Sequence, residues 1–210
     1  MTGRQVFPPL TLRAEGLSCG RGGMALSQDL VFSVPSGQCL LLRGANGAGK
    51  STLLLTLARI IRPLSGSFGI DGADEDMPLI HYCGHRNAIK PRLSVCENLD
   101  FWRTMNGANG VSSQAALARV GLGHLGDLDA GFLSAGQTRR LALARLLVSL
   151  RPLWLLDEPT AALDVDGHAL VGQLIDTHLA MGGMVVAATH DPISLSKAEQ
   201  VQTLQLGAVS

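Results

Sequence analysis

Neither charge dominates this sequence. Seventeen Lys and Arg balance seventeen Asp and Glu, for a formal net charge of zero, so no basic field argues for nucleic acid as a partner. Blocks of like charge are missing as well, and DGADED, residues 71–76, reads as a solvated turn. No apolar run reaches the roughly 20 residues that a membrane-spanning helix needs; CLLL, LWLL and MVVAA are far shorter. The first stretch, MTGRQVFPPLTLRAEG, lacks the apolar centre of a signal peptide. Contact with a membrane is therefore expected only through a partner. The four cysteines, Cys19, Cys39, Cys83 and Cys96, make no CxxC pair and no metal-ligand cluster. They are expected to be reduced and mostly buried, as suits the cytoplasm. Internal repeats and low-complexity linkers are absent.

What is present describes a globular chain with a generous core: 46% of residues are hydrophobic and 16% charged. Its 210 residues are expected to form one domain, 1–210, with a helical lobe at about 86–150. LTLRAEGL and DLVFSV read as strands, and Pro35-Ser36-Gly37 turns the chain into another, QCLLLR. A helix is predicted over 50–62, stopped by Pro63, followed by a short hairpin strand in SGSFGIDG and a buried strand in LIHYC. Ser94-x-x-Glu97 is a capping box that opens a helix to Met105. SSQAALARVGL adds a short helix, and 134–150 a long one closed by Pro152. The strand LWLLD, a helix over 165–181, the strand MVVAAT and a last strand near VQTLQL complete the pattern. Apolar strands alternating with helices mean an α/β fold with a parallel sheet covered on both faces.

Three strings carry chemistry. GANGAGKST (Gly44, Ala45, Asn46, Gly47, Ala48, Gly49, Lys50, Ser51, Thr52) follows a strand and opens a helix, the context of a phosphate-binding loop. Its glycines let successive amides point inward, and the helix start adds positive partial charge. Lys50 is expected on the β- and γ-phosphates, the Ser51 hydroxyl on Mg²⁺, and Thr52 on a further phosphate oxygen. LWLLDEPT ends a buried strand in Asp157, at the sheet edge where ligands bind. Asp157 is expected to hold Mg²⁺, and Glu158 to be the general base for an attacking water. In FLSAGQTRR, Ser134 starts a helix and Gly136 leaves amides uncovered, giving a second anion-binding helix end. A routine N-cap would explain Ser134 but not the whole string.

FLSAGQTRR resembles the LSGGQ signature of ABC-transporter ATPases, with Ala135 at a variable position. The resemblance runs from about Leu12 to Leu206. It implies an ABC-type P-loop ATPase: a RecA-like parallel-sheet core, an N-terminal antiparallel β subdomain and a small helical subdomain, using ATP and Mg²⁺. In that family the signature of one subunit caps the γ-phosphate held by the other. Ser134, Gly136 and Gln137 are therefore expected to act in trans, in a head-to-tail dimer of two copies. AALD, residues 161–164, resembles the loop that crosses this interface, and His190 falls at the switch histidine that contacts the γ-phosphate and orients the water.

Two positions depart from the family pattern. No aromatic precedes the second strand to stack on adenine; Arg21 stands near that place, either stacking on the base or simply exposed. His85, thirteen residues before Asn98, occupies the usual glutamine position. Imidazole matches Mg²⁺ poorly, which leaves His85 a contact to water or the γ-phosphate, or a role in shaping its loop. GHRNAIKPRLSVCENL, FLSAGQTRRLALARLL and PLWLLDEPTAALD together are similar to the haem exporter ATP-binding protein family of cytochrome c maturation, including Trp154, read here as core packing. That resemblance implies a peripheral ATPase on the cytoplasmic face of the inner membrane, partnered by integral-membrane subunits of the cytochrome c maturation complex. Residues 89–97 then read either as a docking groove for a membrane subunit or as a solvated loop. His81 and Cys83 are too few to bind haem. The alternative is an exporter ATPase for a drug, polysaccharide or lipid. DNA-repair relatives would need long coiled coils, and translation ATPases two such domains; neither is here.

Overall fold

The computed structural model describes residues 6–74 and 77–207. Glu75 and Asp76, the end of the acidic turn, and residues 1–5 of the N-terminal stretch lie outside the described residues. Strands β1 (Thr11–Arg21) and β2 (Met24–Pro35) form a hairpin. Gly22 and Gly23 make its two-residue turn at φ 58° and 80°, a pair of positive values that side chains resist. Next come β3 (Cys39–Arg43), helix α1 (Lys50–Leu57), β4 (Ser65–Asp71) and β5 (Ile80–Cys83). Three helices follow: α2 (Val95–Asn106), α3 (Ser113–Arg119) and α4 (Ala135–Val148). The chain then runs through β6 (Leu153–Asp157), α5 (Val165–Ala180), β7 (Met184–Ala188) and β8 (Val201–Gln205).

The strands sort into two sheets. One is antiparallel, in the order β2-β1-β4; the other is wholly parallel, in the order β5-β6-β7-β3-β8. Every position of β6 and β7 is buried, which is why these strands read as unbroken apolar runs. Alternation along them still matters, because it assigns side chains to two different cores. Leu153, Leu155, Val186, Leu40 and Leu42 pack with α1 and the antiparallel sheet. Trp154, Leu156, Val185, Ala187 and Leu41 pack on the other side, with α5 and the α2–α4 group. Trp154 is 2% exposed, the core role expected of it, and truncating it would cost about 3–5 kcal/mol.

Two expectations need correction. The helix predicted to run to Arg62 ends at Leu57, well before Pro63. Arg59 adopts φ 59° and its amide donates to the Thr56 carbonyl, while the Ile60 amide donates to that of Leu55. This is the closing pair of a Schellman turn, built without its usual glycine. The strand expected as part of a local hairpin, β4, instead pairs with β1 across α1, Leu12 lying opposite Ile70. The predicted capping box at Ser94 and Glu97 is present. Within 89–97, Lys90, Pro91 and Arg92 face solvent, but Ile89 packs on the core. Asn98, 1% exposed, accepts the Lys90 amide and donates to the carbonyls of Lys90, Leu93 and Ser94, and so holds that loop in shape. All four cysteines are free, and only Cys96 is not buried.

Candidate active site

The 44–49 loop leaves β3 at the carboxyl edge of the parallel sheet and enters α1 through Gly49, which caps the helix at φ 93°. A side chain there would be strained by φ and would sit 2.8 Å from Ser27 Oγ and 3.0 Å from Leu26 Cβ. Glycine is thus required for the loop to lie against β2. The start of α1 opens onto a cavity of about 390 Å³. Asn46, Gly47, Ala48, Gly49, Lys50, Ser51 and Thr52 form one side of it. Asp157, Glu158, His190 and His85 come from three other segments and complete it, with Arg21 and Leu26 at its edge. Gly44 and Ala45 stand behind Lys50, whose ammonium donates to their carbonyls at 2.7 and 3.0 Å and to His190 Nε2 at 3.2 Å.

Asp157 is 4% exposed and accepts a 3.0 Å hydrogen bond from the Ser51 hydroxyl. A hydroxyl and a carboxylate in contact are the hard oxygen donors suited to a small divalent cation. Among the described residues no group of three or more His, Cys, Asp or Glu could hold a metal, so such an ion would need oxygens from its ligand as well. Glu158 adopts φ 49°, rare for a side-chain-bearing residue and typical of functional edges. Its amide donates to Ala188 O at 2.8 Å, and its carboxylate accepts the His190 amide at 3.3 Å. The His190 ring nitrogen lies 3.5 Å from the same carboxylate.

Ser134, Gly136 and Gln137 do not join this cavity. They line a second one of about 290 Å³, shared with Arg140 and with 162–164, and no residue lines both. Ser134 caps α4 reciprocally with Gln137: the Gln137 amide donates to Ser134 Oγ, and the Ser134 amide to Gln137 Oε1. The amides of Ala135 and Gly136, in the first turn, have no helical acceptor and point out of the helix end. Arg140 donates to Asp164 at 3.0 Å. The Gly167 amide and Arg140 hold the Asp164 carboxyl below its ordinary range.

Some functional positions escaped the motifs. Arg43, the last residue of β3, donates to the carbonyls of Thr189 and Asp191 and so anchors the turn that presents His190. Thr160 donates to Asp191 and ties the segment after Glu158 to that same turn. Arg139, inside the signature string, is 3% exposed and reaches the edge of β6. Its position in FLSAGQTRR was visible in the sequence; its reach across to another strand was not.

A family model described as ABC transporter matches residues 27–161. The chain is 47% identical over 204 residues to the cytochrome c biogenesis ATP-binding export protein CcmA of Rhodopseudomonas palustris strain HaA2, covering 96% of this chain and 100% of that protein. It is 45% identical over 204 residues to the protein of the same name from Bradyrhizobium diazoefficiens, again covering 96% and 100%. Among solved structures, a protein described as an ABC transporter ATP-binding protein from Pyrococcus furiosus superposes with a TM-score of 0.79 at 25% identity, covering 92% of this chain and 97% of that one. The ATP-binding cassette MJ0796, a dimer in a post-hydrolysis state bound to ADP and phosphate, superposes with a TM-score of 0.76 at 21% identity, covering 93% and 96%.

Proposed function

The chain belongs to the ABC transporter family, and we propose that it is the ATP-hydrolysing subunit of a membrane complex that exports or handles haem in c-type cytochrome biogenesis. The observation that carries this reading is identity at 47% along 96% of the chain with a protein named for that work. The geometry of the Lys50 cavity supports the chemistry. The whole chain acts as one ATPase domain, with 86–150 as its helical lobe.

ATP phosphates lie along the amides of 46–52, and the Lys50 ammonium moves from its own loop carbonyls onto the β- and γ-phosphates. Ser51 and Asp157 would hold Mg²⁺ beside them, where it neutralises charge on the phosphates. Glu158 takes the proton of the attacking water. His190 sits between Lys50 and Glu158, within reach of the γ-phosphate and the water. His85 lines the same cavity from the side of the 84–87 loop. Ser134, Gly136 and Gln137 of a second copy cap the γ-phosphate, closing two ATP molecules between two chains.

No helix among the described residues is long and apolar enough to cross a membrane. The subunit works peripherally, at the cytoplasmic face of the inner membrane, through integral-membrane partners that meet the exposed Lys90, Pro91 and Arg92. The decisive experiment is a strain whose only copy carries Lys50→Ala. It is expected to lose holo-cytochromes c while keeping other haem proteins. Normal cytochromes c would reject the haem pathway and leave an exporter of another cargo. Arg92→Glu is expected to keep the isolated ATPase intact and to weaken co-purification with the membrane subunits.

A further inference from the structure

Arg139 stands one turn into α4, and each of its five N–H groups has an acceptor. Nε donates to Pro159 O at 3.3 Å, and Nη2 to Asp157 O and Glu158 O at 2.7 and 2.8 Å. Nη1 donates to Gly84 O and Asn87 Oδ1, both at 2.9 Å. None of these acceptors is a carboxylate. A buried cation is costly to hold on carbonyls alone, and no neutral side chain offers five donors in one plane. The acceptors come from two segments: three successive carbonyls at the end of β6 and just beyond it, and two residues on either side of His85.

This arrangement has consequences for the site. Three carbonyls drawn to one guanidinium fix the backbone on which Asp157 and Glu158 are carried, including the φ of 49° at Glu158. The 84–87 loop is gripped a second time by Arg145, which donates to Asn87 O at 3.0 Å and lies over the Trp102 ring at 3.9 Å. Arg139 also lines a cavity of about 280 Å³ with His85, Asn87, Thr138 and Ala162. That cavity lies between the two anion sites: His85 belongs also to the first, and Ala162 also to the second.

We propose that Arg139 is a positioning residue for ATP hydrolysis, a clamp that fixes the His85 loop against the Asp157–Pro159 edge and ties both to the helix that begins at Ser134. The inference rests on the reading of Glu158 as the hydrolytic base. The arginine touches neither substrate nor the 44–52 loop, so it acts on turnover rather than on binding.

Arg139→Lys tests it. An ammonium concentrates its donors at one point and cannot span both segments. The variant is expected to lower kcat roughly 10–100-fold while KM for ATP changes by less than about threefold. Amide hydrogen exchange should quicken both at 84–89 and at 158–161. Should Arg139→Lys fail to fold, Asn87→Ala removes a single acceptor and keeps the arginine; exchange over 84–89 should then rise at an unchanged thermal midpoint. Parental kcat in folded Arg139→Lys overturns the proposal. So does faster exchange confined to one segment, whatever the rates do. Glu158→Gln in the same assay separates the two readings. If it fails to slow hydrolysis, the base is elsewhere, and the exchange pattern alone decides the clamp.

Discussion

At the Lys50 cavity, the open amides of α1 are joined by the helix's own Lys50 ammonium and Ser51 hydroxyl, by two acidic side chains from the 157–158 segment, and by His85 and His190 from two further segments. At the start of α4, the companions are the helix's own residues and the single segment 162–164. Ser134 caps its own helix, and Arg140 leans on an exposed Asp164. The flanking Phe132 and Val165 are 76% and 85% exposed. Two helix N-termini, each with the positive partial charge of unpaired amides, therefore differ in their surroundings. One gathers an ammonium, a hydroxyl, carboxylates and imidazoles in one cavity; the other has a cap and an ion pair near uncovered apolar side chains. Other strands deliver charge to the start of α1, whereas the start of α4 would, on the proposed reading, be completed by a second copy.

The largest effect should come from breaking the complete region. Glu158→Gln keeps the size and hydrogen-bonding reach of the side chain but removes the carboxylate proposed as the base. It is expected to slow hydrolysis roughly 10²–10⁴-fold with ATP affinity retained, measured by phosphate release and nucleotide titration on the same preparation. Parental turnover would assign the base to another group and erase the contrast in chemistry between the two regions.

The incomplete region should respond differently. Ser134→Arg fills the second cavity with a bulky cation and removes a cap worth about 1 kcal/mol. Hydrolysis should fall because closure is blocked, roughly 10–100-fold, while a single chain binds ATP within about twofold of the parent. Light scattering with ATP and the slowly hydrolysing Glu158→Gln background reads closure directly. Complete loss of nucleotide binding in Ser134→Arg would mean that the two cavities act within one chain, and the comparison would collapse.

The smallest effect on turnover concerns the core on the α4 and α5 side of the parallel sheet. His178 stacks on Trp154 at 3.9 Å, and burial pushes its pKa down to about 3. Burial likewise pushes His81 down to about 4, against the raising hydrogen bond it makes to the Ser149 carbonyl. The unfolded chain takes up both protons near the ordinary value of 6.5, while the folded chain does not until about 4 and 3. Stability is therefore complete above pH 6.5 and is lost as pH falls towards those values, by at most about 1.4 kcal/mol per pH unit for each histidine. Thermal midpoints between pH 7.5 and 5 should drop accordingly, and His178→Phe should flatten about half of the slope. An equal slope in that variant would place the titration elsewhere.

Much of this was legible in the strings themselves. Phosphate loops, capping boxes and apolar strands are local devices, so GANGAGKST, Ser94-x-x-Glu97 and LWLLD folded where their residues said. The misreadings arose where a distant or backbone choice intervened. Pro63 pointed to the wrong end of α1 because Arg59 had already turned the chain through a left-handed residue. The strand 65–71 found its partner in β1, 47 to 60 positions away, because β-pairing is decided by which edge is free rather than by nearness. Ile89 was read with the segment 89–97 as either a docking groove or a solvated loop, and the core took its side chain.

The sequence by itself determined which groups this protein brings to the Lys50 cavity: an ammonium at 50, a hydroxyl at 51, carboxylates at 157 and 158, and imidazoles at 85 and 190. Each sits at the end of an apolar run or the start of a helix, and local propensity is enough to put it there. Only the tertiary structure decided which of them meet. The parallel order β5-β6-β7-β3 carries the loops after four strands to one edge, and that convergence made a cavity at Lys50 and left Ser134 apart. It also gave Arg139 five acceptors from two strands' ends, a geometry that no spacing in the sequence encodes, because hydrogen bonds between distant carbonyls exist only once the sheet has aligned them.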